Sequence, residues 1–161
     1  MAHDDVPGED RVVQQLAFED FTPGRVFELG TTVVDRDEML AFARRFDPQP
    51  FHVDEDAAKE SIFGGLAASG WFTAGLWMRA YADEVLSRAT SLGSPGGEEI
   101  AWPAPVFAGD ELVATMEVLE ARLSRSRPGV GLVRLRAHLR RGEQEVYRST
   151  FTGMFGTRDR P

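Results

Sequence analysis

Apolar positions change their period along the chain, and each change marks an element. Phe21-Thr22-Pro23-Gly24 is a turn, and the run from Val26-Phe27-Glu28-Leu29 to about Val34 predicts a strand. Asp35, with Glu38 three residues later, has the capping-box pattern of a helix start. Met39, Phe42, Ala43 and Phe46 then follow at helical spacing, so one face of a short helix is apolar. Asp47 precedes Pro48 and Gln49 precedes Pro50, and a residue before proline is pushed toward extended backbone. The helix is therefore expected to stop near Phe46, and Asp47 to His52 to form a stiff, non-helical loop. A short helix is predicted over Glu55–Ser61, broken by Gly64-Gly65.

The stretch from about Ser69 to Leu86 is different. Trp71, Phe72, Ala74, Leu76, Trp77, Met78, Ala80, Tyr81, Ala82 and Val85 point in nearly every helical direction. A helix apolar all round is expected to be buried on most sides. Arg79, Asp83, Glu84 and the modest length argue against a membrane span. Residues 87–98 read as a Ser/Gly/Pro linker, and Ile100 to Phe107 as a strand interrupted by Pro103 and Pro105. After Gly109-Asp110, Leu112, Ala114, Met116 and Val118 alternate with their neighbours. Beyond a turn at Ser126-Arg127-Pro128-Gly129, Val133, Leu135, Ala137 and Leu139 alternate with Arg134, Arg136, His138 and Arg140. A turn at Arg141-Gly142 leads into a last strand over Val146–Phe155. The pattern is α+β: an antiparallel sheet packed on one long helix.

Composition narrows the function. The 161 residues make one domain, and 42% hydrophobic with 27% charged residues is ordinary for a globular chain. With no cysteine, thiolate nucleophiles, disulfides and cysteine-bound metals are excluded. A net charge of −8 argues against broad nucleic-acid binding. Residues 1–15 read as a flexible acidic tail ahead of a single domain over 16–157. Residues 1–11 hold Asp4, Asp5, Glu9 and Asp10 and no apolar run, so the expectation is a cytoplasmic protein without a signal peptide. Lys59 is the single lysine, so the cationic surface is arginine. Arg122, Arg125, Arg127, Arg134, Arg136, Arg140 and Arg141 are candidates for phosphate contacts, though a solvated strand face or turn is the simpler account of any single one.

Few side chains here suit acid–base chemistry. His3 falls in the tail, and His138 reads as a surface residue on the polar side of a strand. His52 stands five positions after Asp47 in a segment stiffened by two prolines, as a positioned acid–base pair requires. Ser69-Gly70-Trp71 opens the long helix. A helix start offers free N–H groups, and Gly70 has no side chain to keep a carbonyl from its N–H. Ser69 also reads as an N-cap, and Asp54 and Glu55 as the cap and first-turn acid of the next short helix. Asp47, His52 and Asp54 can be drawn as metal ligands, but one His among carboxylates is weak support, and no metal is expected.

These residues carry a family resemblance. The run Phe46-Asp47-Pro48-Gln49-Pro50-Phe51-His52-Val53-Asp54-Glu55, followed by Phe63-Gly64-Gly65-Leu66-Ala67-Ala68-Ser69-Gly70-Trp71, resembles the signature of MaoC-like dehydratases. Phe21-Thr22-Pro23-Gly24 and Pro105-Val106-Phe107-Ala108-Gly109-Asp110-Glu111-Leu112 extend the likeness over roughly residues 15–157. These are hotdog-fold proteins related to (R)-specific enoyl-CoA hydratases. The resemblance implies a curved antiparallel sheet wrapped around a long central helix, joined edge to edge with a second copy in a homodimer or higher homo-oligomer. It also implies a substrate tunnel near the subunit interface.

The implied reaction adds or removes water across the 2,3-double bond of an acyl thioester. Asp47 would be the base on water, His52 its acid partner and Gly70 N–H the oxyanion donor, with Ser69 beside it. Coenzyme A or acyl-carrier protein would carry the acyl group, with no further cofactor. Ser69 stands where hydratases of the family often have histidine, and Met78 where they often have a hydroxyl residue. Thioester hydrolysis on the same fold, and a non-catalytic acyl-binding module, are the rival readings.

Overall fold

The computed structural model describes residues 15–159. The acidic tail expected over 1–15, His3 included, lies outside them except for Gln15. Strand β1 spans Val26–Val33, helix α1 Arg36–Phe46, α2 Pro50–Val53, α3 Glu55–Lys59 and the central helix α4 Gly70–Glu84. Strands β2 (Gly96–Ala101), β3 (Glu111–Leu123), β4 (Val130–Arg141) and β5 (Gln144–Gly156) follow. They form one antiparallel sheet in the order β1-β3-β4-β5-β2. This is the hotdog fold, with α4 in the hollow of the sheet.

The alternation read from the sequence is what builds the hollow. Leu112, Ala114, Met116 and Val118 of β3 and Val133, Leu135, Ala137 and Leu139 of β4 are all at most 1% exposed. Each of the larger ones stabilises the fold by roughly 1.5–3 kcal/mol through burial. Phe72, Trp77 and Tyr81 of α4 pack on the same core, and the Trp77 indole N–H donates to the Thr115 carbonyl at 2.9 Å. The tight turn between β4 and β5 is made by Gly142, whose φ of 56° favours glycine.

On the outer face of the sheet, Arg134 pairs with Glu98 and Glu120, and Arg148 with Glu99 and Glu145. Arg140 lies near Glu145, and Arg141 pairs with Asp110. These four arginines are thus engaged by carboxylates of the chain itself. Exposed pairs of this kind are screened by solvent and add little to stability.

Four local expectations change. The loop over Asp47–His52 is extended only as far as Gln49. Pro50 then opens the single turn of α2, which includes His52, because proline at the first helical position needs no N–H partner. The helix predicted over Glu55–Ser61 ends at Lys59. The strand expected over Ile100–Phe107 lies earlier, at Gly96–Ala101, beginning inside the expected linker and sharing only Ile100 and Ala101 with the expected strand. Pro103 and Pro105 cannot donate to a ladder, so the chain leaves the sheet before them. Helix α4 is not enclosed on most sides: Trp71 and Met78 are 59% and 46% exposed, because the sheet covers only one of its faces.

His138 also differs from the surface residue expected. It is half-buried, with Nδ1 2.6 Å from Glu145 Oε2.

Candidate active site

The site begins where α1 ends. Asp35 caps α1 by accepting from Glu38 N–H at 2.9 Å, and Asp47 closes its last turn by donating its N–H to Ala43 O at 2.9 Å. The prolines then turn the chain back. Gln49 N–H donates to Asp47 O and His52 N–H to Gln49 O, at 2.8 and 2.9 Å. Asp54 caps α3 through Ala57 N–H at 2.8 Å, so its side chain is spent on the helix and not on the site. Residues 66–69 run extended toward α4. Ala67 N–H donates to Phe51 O and Ala68 N–H to Val106 O, which binds this segment to α2 on one side and to the Pro-rich segment on the other.

These anchors bring together all four residues singled out in the sequence. His52 is buried, and its Nδ1 lies 2.7 Å from Ala67 O. A carbonyl only accepts, so Nδ1 carries a proton and Nε2 is the nitrogen left for chemistry. Nε2 lies 3.4 Å from Asp47 Oδ2. Phe51 and Phe63 flank the imidazole, with ring centroids 4.6 and 6.4 Å away. Ser69 is fully buried and has two partners: Oγ donates to Asp47 Oδ2 at 2.7 Å and accepts from Trp71 N–H at 3.3 Å. It is an N-cap that also ties the start of α4 to Asp47. As the first residue of α4, Gly70 has no acceptor within the helix for its N–H.

Two further residues beside the site are not among those the sequence singles out. Gln49 Nε2 donates to Asp47 Oδ1 at 2.7 Å, so both carboxylate oxygens are held. Its signal is its place two residues after Asp47 between prolines, where extended backbone returns the side chain to the same side. Trp102 lies over Gly70: a methyl group built there would come within 2.7–3.0 Å of the indole. Nothing local to Trp102 indicates this, because the contact spans α4 and the segment after β2. Asp47, Gln49, His52, Gly70, Trp71 and Trp102 line a cavity of about 500 Å³.

Burial pushes the Asp47 carboxyl up, but the hydrogen bonds from Ser69 and Gln49 and the charge of His52 together outweigh it. The net result holds the carboxyl below the ordinary carboxylate value. A group depressed in the folded state stabilises fully above its unfolded value, about 3.9, and loses that contribution as pH falls through the folded value. Asp47 is therefore ionised across the neutral range.

Ser69→Ala removes a bond to this charge and a helix cap. We expect a stability loss of about 2–3 kcal/mol at neutral pH. Thermal melts should show the difference from wild type narrowing as pH falls below the ordinary carboxylate range and through the depressed folded value of Asp47, where only the cap contribution remains. A difference independent of pH would mean that the Ser69–Asp47 bond contributes nothing.

Among the described residues no group of three or more His, Asp or Glu side chains is arranged to hold a metal ion. No described helix is long and apolar enough to cross a membrane.

Fold and motif converge, and the chain belongs to the MaoC-like dehydratase family: the MaoC like domain model matches residues 19–138. Relatives of the family include (R)-specific enoyl-CoA hydratases. One, from Rhodospirillum rubrum, is 32% identical over 105 residues, spanning 63% of this chain and 68% of its own length. The uncharacterized protein YdeM of Bacillus subtilis is 30% identical over 115 residues, 71% of this chain and 82% of its own. Among solved structures, a MaoC-like dehydratase from Rhodospirillum rubrum superposes with a TM-score of 0.79 at 38% identity, covering 89% of this chain and 98% of that one.

Proposed function

We propose that the protein hydrates a 2-enoyl thioester, or runs the reverse dehydration. Asp47 and His52 act as the acid–base pair, and Gly70 N–H as the oxyanion donor. The observation that carries this reading is that Asp47 Oδ2, His52 Nε2 and the start of α4 all face one cavity. Asp47 accepts a proton from water as the oxygen adds to the beta carbon. The electron pair of the double bond moves to the thioester carbonyl, where Gly70 N–H stabilises the enolate. Protonated His52, with Nδ1–H held by Ala67 O, gives its Nε2 proton to the alpha carbon. Transfer from Asp47 back to His52 across the 3.4 Å gap restores the starting state.

The acyl carrier in this reading is coenzyme A or acyl-carrier protein. We also propose assembly as a homodimer through β2. This strand lies at the sheet edge and carries exposed Ile100, with exposed Trp102 immediately after it.

The test compares crotonyl-CoA with butyryl-CoA. Loss of enoyl absorbance with crotonyl-CoA and no thiol release from either is the expected result. Thiol release from butyryl-CoA without hydration of crotonyl-CoA would establish hydrolysis in its place.

A further inference from the structure

One wall of the cavity that holds Asp47 and His52 is the Pro-rich segment after β2, with Pro103, Pro105 and Val106. The two prolines have no N–H, so this segment joins no strand. Val106 is buried, which fixes where the segment lies. Apolar burial has no direction, however, and does not set where the carbonyls point. Arg141, the last residue of β4, supplies that direction. Its Nη1 donates to Pro105 O at 3.2 Å and to the Asp110 carboxylate. The same carboxylate oxygen accepts from Phe107 N–H at 2.9 Å. Arg141 Nη2 donates to Gln144 across the turn, so the guanidinium is held through both of its terminal nitrogens. Arg141 itself does not line the cavity.

From Pro105 the connection runs directly to the site. Val106 O accepts from Ala68 N–H at 2.8 Å, and Ala67 faces Phe107 across an isolated antiparallel bridge. Ala67 O is the acceptor for His52 Nδ1 at 2.7 Å, and Ser69 Oγ donates to Asp47 at 2.7 Å. We propose that Arg141 is a positioning residue. By holding Pro105 and Asp110 it fixes the strip Ala67–Ser69, which keeps the proton of neutral His52 on Nδ1 and leaves Nε2 facing Asp47. This rests on the reading of His52 as the acid partner. An imidazole without a fixed acceptor at Nδ1 divides between its two tautomers, and the free nitrogen is then no longer always the one beside Asp47. Arg141 thus acts from the sheet through backbone, a different use of its charge from phosphate contact.

The test reads the His52 tautomer by nitrogen NMR of histidine-labelled protein at alkaline pH, where imidazole is neutral. The chain has three histidines, and His52→Gln assigns the resonances of His52. Wild type should show one tautomer, with Nδ1 protonated. Arg141→Met should move both His52 resonances toward the average of two exchanging tautomers. Arg141→Lys, whose ammonium can still donate to Asp110 and Pro105, should restore most of the wild-type signal. Arg134→Met removes ion pairs to Glu98 and Glu120 elsewhere on the sheet and should leave His52 unmoved. If Arg141→Met does not fold, Asp110→Asn takes its place: it removes the charge that holds Arg141 and keeps an acceptor for Phe107 N–H. With crotonyl-CoA, the folded variant should lose kcat by up to about 10²-fold, with a smaller change in KM, as misplacement of a reacting group does. Two tautomers in wild type, or an unchanged single tautomer in the folded variant, would overturn the proposal. The NMR arm needs no substrate. A tautomer shift in a protein that hydrates no enoyl thioester would support the positioning and overturn the reaction instead.

Discussion

Asp47→Asn and His52→Gln are each expected to lower kcat/KM for an enoyl thioester by about 10²–10⁴-fold, the usual contribution of a positioned acid or base. The geometry says why folding should survive. Both Asp47 oxygens accept, one from Ser69 and one from Gln49. An amide at this position keeps only one accepting oxygen. The Ser69 hydroxyl can rotate to accept, however, and the Gln49 amide can turn its oxygen to the new NH₂. His52 needs more care, because its ring is buried between Phe51 and Phe63. Truncation to Ala would leave a hole and cost stability for reasons unrelated to chemistry. Gln fills more of that space and keeps a donor for Ala67 O, while having no titratable group at the position of Nε2. Thermal melts near wild type with activity lost would support the pair. Full activity in both folded variants would remove Asp47 and His52 from the mechanism.

Gly70→Ala should reduce kcat by about 10²–10³-fold, the loss seen when an oxyanion donor is removed. The added methyl group would lie within 2.7–3.0 Å of the Trp102 indole, a separation that real contacts do not tolerate. Two consequences are mixed in the single variant: a displaced Trp102 and an obstructed N–H. The double variant Gly70→Ala/Trp102→Ala separates them. Removing the indole should restore whatever stability the clash took, as read by thermal melts. It should leave kcat low, because the methyl group still stands beside the Gly70 N–H. Recovery of kcat in the double variant would mean that Gly70 serves only to accommodate Trp102.

How much of this is legible in the sequence differs by element. The alternation in β3 and β4 places Leu112, Ala114, Met116 and Val118, and Val133, Leu135, Ala137 and Leu139, in the core, because side chains of a strand alternate faces whatever the strand pairs with. The caps Asp35, Asp54 and Ser69 are equally readable, since each bonds within two or three residues. The Asp47–His52 spacing is visible too, along with the prolines that restrict it.

What lies beyond the sequence depends on distant segments meeting. Pairing Ser69 with Asp47 requires α4 to start beside the end of α1, 22 positions away in the chain. The tautomer of His52 depends on Ala67 O, which reaches it only because residues 66–69 run extended between α2 and the Pro-rich segment. The cover over Gly70 comes from Trp102, whose place follows from where β2 leaves the sheet. The exposed side of α4 departs from expectation for the same reason: hydrophobicity tells which residues avoid water, and only the reach of the sheet decides which of them it covers. The sequence by itself determined the elements, the core faces and the residue types available for chemistry. The tertiary structure decided which nitrogen and which oxygen face each other, and which apolar face of α4 stays open.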